Sequence, residues 1–312
     1  MLHFFAGFAL LPRAIQWGFA LLYGAVFGSF LTMVSYRLPR ILLAGLEYPA
    51  DESTADSALP RLAVPAGMVP EGKALSLFQA SACPNCGNKI PARANIPIFG
   101  WLVVRGRCVC CHAPISIRYP MIELVSAAAA GMCLAHFGAT LEAIAAFAFL
   151  WCLLLAAVID LETMFLPDCV TQSLLWLGLG LAAFGAIRFL PVPSQAILGA
   201  MAGYMIVFIP ARIGQAMIGR EMMGEGDFKL NAAIGAWLGW EAIPVILLVA
   251  ATLSVIGHAA VSILRGGARR AAQDSTGATD LISQGYLPFG PWLAGAAALM
   301  LLAGRFGLGA AI

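Results

Sequence analysis

The sequence predicts an all-α fold, a polytopic membrane helical bundle of about eight transmembrane helices interrupted by one non-membrane insert. Three observations lead there. The 312 residues are 61% hydrophobic and only 11% charged, whereas soluble domains carry about 25% charged residues. Too few charges remain to cover a water-facing surface, so the bilayer is the solvent for most of the chain. Apolar stretches approaching the roughly 20 residues needed to span a bilayer recur along the sequence. One segment, 37–120, breaks the pattern with charges, many prolines and paired cysteines. No basic run forms a nucleic-acid patch, and the net charge of +2 carries no information about partners.

The first stretch, Trp17–Tyr36, has no basic region before it and is followed by Arg37 and Arg40. That is the pattern of a retained first helix rather than a removed signal. The later stretches are 121–137, 141–159, 169–190, 194–211, 227–240, 242–264 and 288–304. The sixth, DFKLNAAIGAWLGW, is amphipathic and short. GAMAG at 199–203 and AAIGAWLG at 232–239 supply small residues that let helix backbones approach closely in lipid. The division is residues 1–36 as the first transmembrane helix, 37–120 as a loop domain and 121–312 as a transmembrane core. Within the loop, 45–80 has no period and reads as irregular.

Lys and Arg set the orientation. With 37–120 in the cytoplasm, the cytoplasmic regions hold fifteen of the eighteen Lys and Arg residues, and only Arg13, Arg188 and Arg305 lie opposite. The even span count and this positive-inside bias agree, and both place the termini outside the cytoplasm.

Cys83-Pro-Asn-Cys86 and Cys108-Val-Cys-Cys111 are two C-x-x-C knuckles separated by 21 residues, close to the spacing of four-cysteine zinc sites. Each turn aims two thiolates at one point, and two turns complete a tetrahedral shell. Four thiolates leave no open position, so the expected Zn2+ is structural. Two disulfides are the competing use, and a reducing cytoplasmic location argues against them. Cys110 is a spare that could compete as a ligand. Cys133, Cys152 and Cys169 lie in or beside apolar spans as small packing residues.

Ionisable residues at the edge of a span are functional hypotheses. Asp160 ends the apolar run FAFLWCLLLAAVID, and Asp227 lies in Gly224-Glu-Gly-Asp227 at the start of the sixth span. The topology puts both at the cytoplasmic face although they are 67 residues apart in sequence. Two carboxylates sharing a site hold one proton between them, the working state of an aspartic protease. Gly224 and Gly226 would leave room for a substrate backbone. The alternative is a pair of ordinary interfacial acids. Asp168, after Pro167, looks like an N-cap. Glu162 reads as solvated. Glu123 reads as a counter-charge at the start of the second span. Lys229 reads as an orientation charge near Asp227. The four histidines form no cluster, and neither a Ser/His/Asp set nor H-E-x-x-H is present.

Five blocks together resemble the type IV prepilin peptidase family: GSFLTMVSYRLP (28–39), the cysteine segment 81–123, DLETMFLPDCVTQSLLWLGL (160–179), GEGDFKLNAAIGAWLGW (224–240) and PFGP (288–291). The resemblance runs from about residue 20 to 300. It implies a multi-pass bacterial inner-membrane enzyme with a cytoplasmic active site. Such an enzyme cuts the basic leader from type IV prepilins or type II secretion pseudopilins after a Gly. By position it implies Asp160 and Asp227 as the catalytic pair and Cys83, Cys86, Cys108 and Cys111 as zinc ligands. It further implies N-methylation of the new terminus with S-adenosylmethionine. Residues 45–80 depart from the charged segment of relatives, and no G-x-G-x-x-G donor motif is present, so no residue is assigned to that donor. The alternatives are a peptidase without methylation, a transporter, whose broken helices would carry carboxylates near the midplane, and a zinc-loop scaffold without chemistry.

Overall fold

The computed structural model describes residues 7–44, 76–77, 79–185, 187–219, 223–268 and 288–303. The expectation of an irregular 45–80 loop falls almost wholly outside them. The described residues are helical, and they contain two isolated β-bridges and no strand.

Eight helices stand where the apolar stretches predict them. They are α1 (Arg13–Ala44), α2 (Arg118–Phe137), α3 (Leu141–Thr163), α4 (Asp168–Phe184), α5 (Pro193–Ile218), α6 (Glu225–Leu238), α7 (Ala242–Ala268) and α8 (Gly290–Ala303). Five of them (α1, α2, α3, α5 and α7) are long and apolar enough to cross a membrane. α4 and α8 are shorter apolar helices. The chain is thus a membrane protein with five full-length candidate spans among its described residues.

The chain divides into two compact units, Met1–Ala143 and Ile144–Ile312. In the first, α1 packs along α2. Their contact is close because Gly24 and Gly28 face Ser126 and Glu123 with no side chain between, and the Ser126 hydroxyl donates to the Gly24 carbonyl at 2.7 Å. α1 runs on to Ala44, through Pro39, beyond the end of its apolar stretch. Arg37 secures this extension: it is buried, and its Nη1 donates to the carbonyls of Ser76, Leu77 and Gln79 at 3.2, 2.9 and 2.7 Å. A residue that reads as an orientation charge is also the anchor for the segment leading to the cysteines.

In the second unit, α6 is surrounded. It packs on α4, α5, α7 and α8. At 14 residues it is roughly 21 Å long, shorter than the roughly 30 Å hydrocarbon core, and its first half carries Glu225, Asp227, Lys229 and Asn231. Such a helix cannot face lipid. Its neighbours bury it instead, and from Leu230 to Trp237 every residue is buried. Gly199 of α5 and Gly235 of α6 meet backbone to backbone, and a Cβ on either would overlap the other's carbonyl. Trp237 completes the core: it is fully buried, its indole N–H donates to the Leu174 carbonyl at 2.9 Å, and its ring lies 4.9 Å from that of Phe149. Asn231, also buried, donates its amide to the Gly203 carbonyl at 2.6 Å.

Candidate active site

The second unit brings three sequence blocks together. Asp160 lies in the last turn of α3 and is 5% exposed. Its Oδ2 accepts the backbone N–H of Gly290 at 3.0 Å. Gly290 opens α8, so its N–H is one of the donors that a helix start leaves unpaired. A Cβ at 290 would sit 2.7 Å from that same oxygen, so the contact requires glycine. Sequence reasoning noted PFGP only as a family block. The bond joins residues 130 apart and leaves no local pattern.

Asp227 lies in the first turn of α6, half-buried, after the extended Gly224. It is close enough to Asp160 for the two charges to interact. Its Oδ1 is a buried acceptor with no hydrogen-bond partner among the described residues, an arrangement that leaves it open to a water or a substrate group. The two glycines of the motif differ. At Gly226 a Cβ would overlap the Leu166 side chain, so that glycine serves packing and not substrate access. Gly224 is open, with Asp227 Oδ2 3.9 Å from its would-be Cβ.

Asp168 is not the N-cap of α4. Pro167 occupies that position, and Asp168 is the first helical residue, exposed, with both oxygens on Lys229 Nζ at 2.7 and 2.8 Å. Lys229 therefore ties the start of α4 to α6 through Asp168.

The cysteine segment folds as two copies of one turn. Cys83 N–H donates to Asn88 O and Gly87 N–H returns to Cys83 O, both at 2.9 Å. Cys108 N–H donates to Ala113 O at 2.9 Å and His112 N–H returns to Cys108 O at 3.1 Å. Gly87 and His112 hold the same left-handed position, with φ of 68° and 55°. The Sγ atoms of Cys83, Cys86, Cys108 and Cys111 lie within 4.8 Å of one another and could hold a metal ion. The sulfurs of Cys83 and Cys111 are 3.7 Å apart and those of Cys86 and Cys108 are 4.0 Å apart. A tetrahedral zinc with bonds of about 2.3 Å needs thiolates about 3.8 Å apart, so the residues fit that ion. Hydrogen bonds from the Ala113 backbone and the Asn85 side chain pull the Cys111 thiol down to about 6, while in the same cluster desolvation and bonds to the other thiols push Cys86 up to about 12. Cys110 stands outside the cluster, exposed, with the Asn88 amide on its sulfur at 2.7 Å. Cys133 is buried as expected, but Cys169 is exposed.

Beside the cysteines the first unit holds an open cleft of about 1190 Å3. Glu123 lies at its edge, 7% exposed. Its Oε2 accepts the N–H of Ile98 at 2.6 Å, and the Ser29 hydroxyl bonds it as well. It is bonded to the loop and lies beyond the first turn of α2, which holds no acidic residue, so it is not placed as the counter-charge that its position near the start of α2 suggests.

Comparison with known proteins completes the picture. A profile of the Bacterial Peptidase A24 N-terminal domain matches residues 22–137, and one of the Type IV leader peptidase family matches residues 147–258. A prepilin leader peptidase/N-methyltransferase of Burkholderia pseudomallei (strain 1026b) is 39% identical over 306 residues, which cover 96% of this chain and 89% of the relative. Proteins with the same name from Stutzerimonas stutzeri and Pectobacterium carotovorum subsp. carotovorum are each 36% identical. The matches cover 91% of this chain and 90% of the relative in the first case, and 92% and 93% in the second. No solved structure matches the chain significantly.

Proposed function

We infer the function from a premise now in hand: the chain belongs to the type IV leader peptidase family. It is a prepilin leader peptidase and N-methyltransferase of the bacterial inner membrane, with residues 37–120 and the active site on the cytoplasmic side. Its substrates are prepilins or pseudopilins. Asp160 and Asp227 are the catalytic pair. The observation that carries this assignment is the meeting of two acids from different helices, one buried and held by a helix N-terminus, the other with an unpartnered buried oxygen.

The chemistry follows. The substrate's apolar helix lies in the bilayer with its basic leader in the cytoplasm. The two acids hold one proton. The ionised one takes a proton from water as the water attacks the carbonyl carbon of the Gly that ends the leader, and the protonated one gives its proton to that carbonyl oxygen. The tetrahedral intermediate then collapses, the peptide C–N bond breaks, and the leader leaves with a new carboxylate while the pilin keeps a new amine. Gly290 keeps Asp160 in place through this cycle. Zn2+ on Cys83, Cys86, Cys108 and Cys111 would fix the loop fold and would take no part in hydrolysis. S-adenosylmethionine would supply a methyl group to the new amine. The cleft of about 1190 Å3 has room for such a nucleoside, since ligand sites run to about 1,000 Å3. Ser29, Thr32 and Tyr36 of α1 and Trp101 of the loop line it.

The test is cleavage of a prepilin in membranes by the wild type, Asp160→Asn and Asp227→Asn, with product mass read out. Each variant is expected to lose cleavage about a thousandfold at normal protein level, and the wild-type product to gain the mass of one methyl group. Retained cleavage in either variant would remove that residue from the pair.

A further inference from the structure

Three features of the first unit converge on one carboxylate that the hydrolytic chemistry does not use. The first is the cleft. Among the described residues that line it, Glu123 is the single carboxylate, set against Arg37, Lys89, Arg93, Arg107, His112 and the phenols Tyr36 and Tyr119. The second is burial: Glu123 is 7% exposed yet lines the cleft, so the side chain reaches the cavity while its stem is packed between α1 and the loop. The third is backbone strain. Ile98 has φ 61° and ψ −57°, and the Phe99 N–H donates to the Pro97 carbonyl at 2.6 Å. This is the rare left-handed γ-turn, at a β-branched residue that avoids positive φ. Strain of this kind persists where surroundings over-determine it, and it clusters at functional sites. Glu123 is what over-determines it, through the 2.6 Å bond from the Ile98 N–H. One oxygen is thereby fixed, and a carboxylate can accept further donors on its remaining lone pairs.

We propose that Glu123 is the residue that binds the primary amine released by cleavage and takes its proton before methyl transfer. The proposal rests on the methyl-transfer half of the function given above. An alkyl ammonium has no lone pair and cannot attack carbon. With a pKa of about 8 it is mostly protonated at pH 7, so the step needs a base. The ammonium gives one proton to the Glu123 carboxylate and becomes a neutral amine. Its lone pair forms the N–C bond to the methyl group while the C–S bond breaks, and that electron pair stays on sulfur, turning a sulfonium into a thioether. The product is a secondary ammonium, and Glu123 passes its proton to solvent. The strained turn at Ile98 holds the carboxylate in position for this exchange.

The experiment compares the wild type with Glu123→Gln, which keeps an oxygen for the Ile98 N–H and loses the charge. Three readings are taken in membranes or micelles. The first is prepilin cleavage, expected unchanged. The second is methylation of the cleaved product, expected to fall about 100-fold in Glu123→Gln at pH 7 and then to recover about fivefold between pH 7 and the amine's own pKa of about 8. The third, without donor, is binding of a synthetic apolar peptide with a free N-terminus and of its N-acetylated twin. The wild type should prefer the free amine about tenfold, and the variant should show no preference. Equal methylation by the two proteins, or a loss that raised pH leaves unchanged, would overturn the proposal. So would loss of S-adenosylmethionine binding in Glu123→Gln, which would place the residue against the donor instead. Absence of methylation by the wild type would defeat the methyl-transfer reading itself, an outcome distinct from failure of the variant alone.

Discussion

Asp160 depends on a single glycine across the bundle. Gly290→Ala puts a methyl 2.7 Å from its Oδ2, so the carboxylate must swing or α8 must shift. Displacements of about 1 Å in an active site cost about 100-fold. The expected outcome is that loss in prepilin cleavage with accumulation near normal, measured by immunoblot alongside the cleavage assay; cleavage at the wild-type rate would show that the Gly290 contact is not needed. Lys229 should behave differently. Its pair with Asp168 leaves the carboxylate 64% exposed, and such pairs contribute less than about 1 kcal/mol. Lys229→Met should therefore keep cleavage within a few-fold, and a severe loss would mean that Lys229 acts on Asp227 rather than on Asp168. At this scale the sequence was only half legible. Span-edge acids and a G-x-G-D turn can be seen in one dimension. The Ile98–Glu123 and Gly290–Asp160 bonds cannot, because they join residues 25 and 130 positions apart and leave no local pattern.

At the scale of elements, the positions of the eight longer helices were legible from the apolar runs, although five and not eight of them are long and apolar enough to cross a membrane and the short helix Phe99–Val103 in the cysteine segment was not foreseen. The ends were less so. α4 stops at Phe184 because Gly185 takes the left-handed cap, φ 60°, while hydropathy alone carries the stretch to 190. α1 goes the other way, held helical to Ala44 by Arg37. The crossing of α5 and α6 is set by Gly199 and Gly235. Gly235→Val should force these backbones apart and carry Asp227 with them. We expect reduced accumulation and loss of cleavage, and normal levels with normal cleavage would show that the crossing can relax. Trp237→Ala leaves a cavity worth about 3–5 kcal/mol and should lower the melting temperature of the purified protein in detergent.

For the whole molecule, the two family profiles fall on the two compact units, 22–137 on the first and 147–258 on the second. On the proposed assignment, hydrolysis belongs to the second unit and methyl transfer to the first, so the two should be separable by mutation. Cys83→Ser with Cys108→Ser removes two of four sulfurs from the cluster. The expected result is loss of bound zinc by metal analysis and faster proteolysis within 79–116, together with a larger loss of methylation than of cleavage. Equal loss of both would show that the second unit needs the first.

The enclosed α6 has a consequence for how the protein is made. A helix this short and polar gains too little from lipid to be released sideways from the insertion machinery by itself, and its first turn carries two acids with a lysine just after them. It can be retained only when α4 and α5, already in the bilayer, offer their small-residue faces, and it is sealed only when α7 and α8 arrive. On the proposed assignment the catalytic centre is therefore among the last parts of the molecule to be completed during biosynthesis, and a nascent chain that stops before α8 lacks the Gly290 N–H that holds Asp160 and is a substrate for membrane quality control, not a slow enzyme.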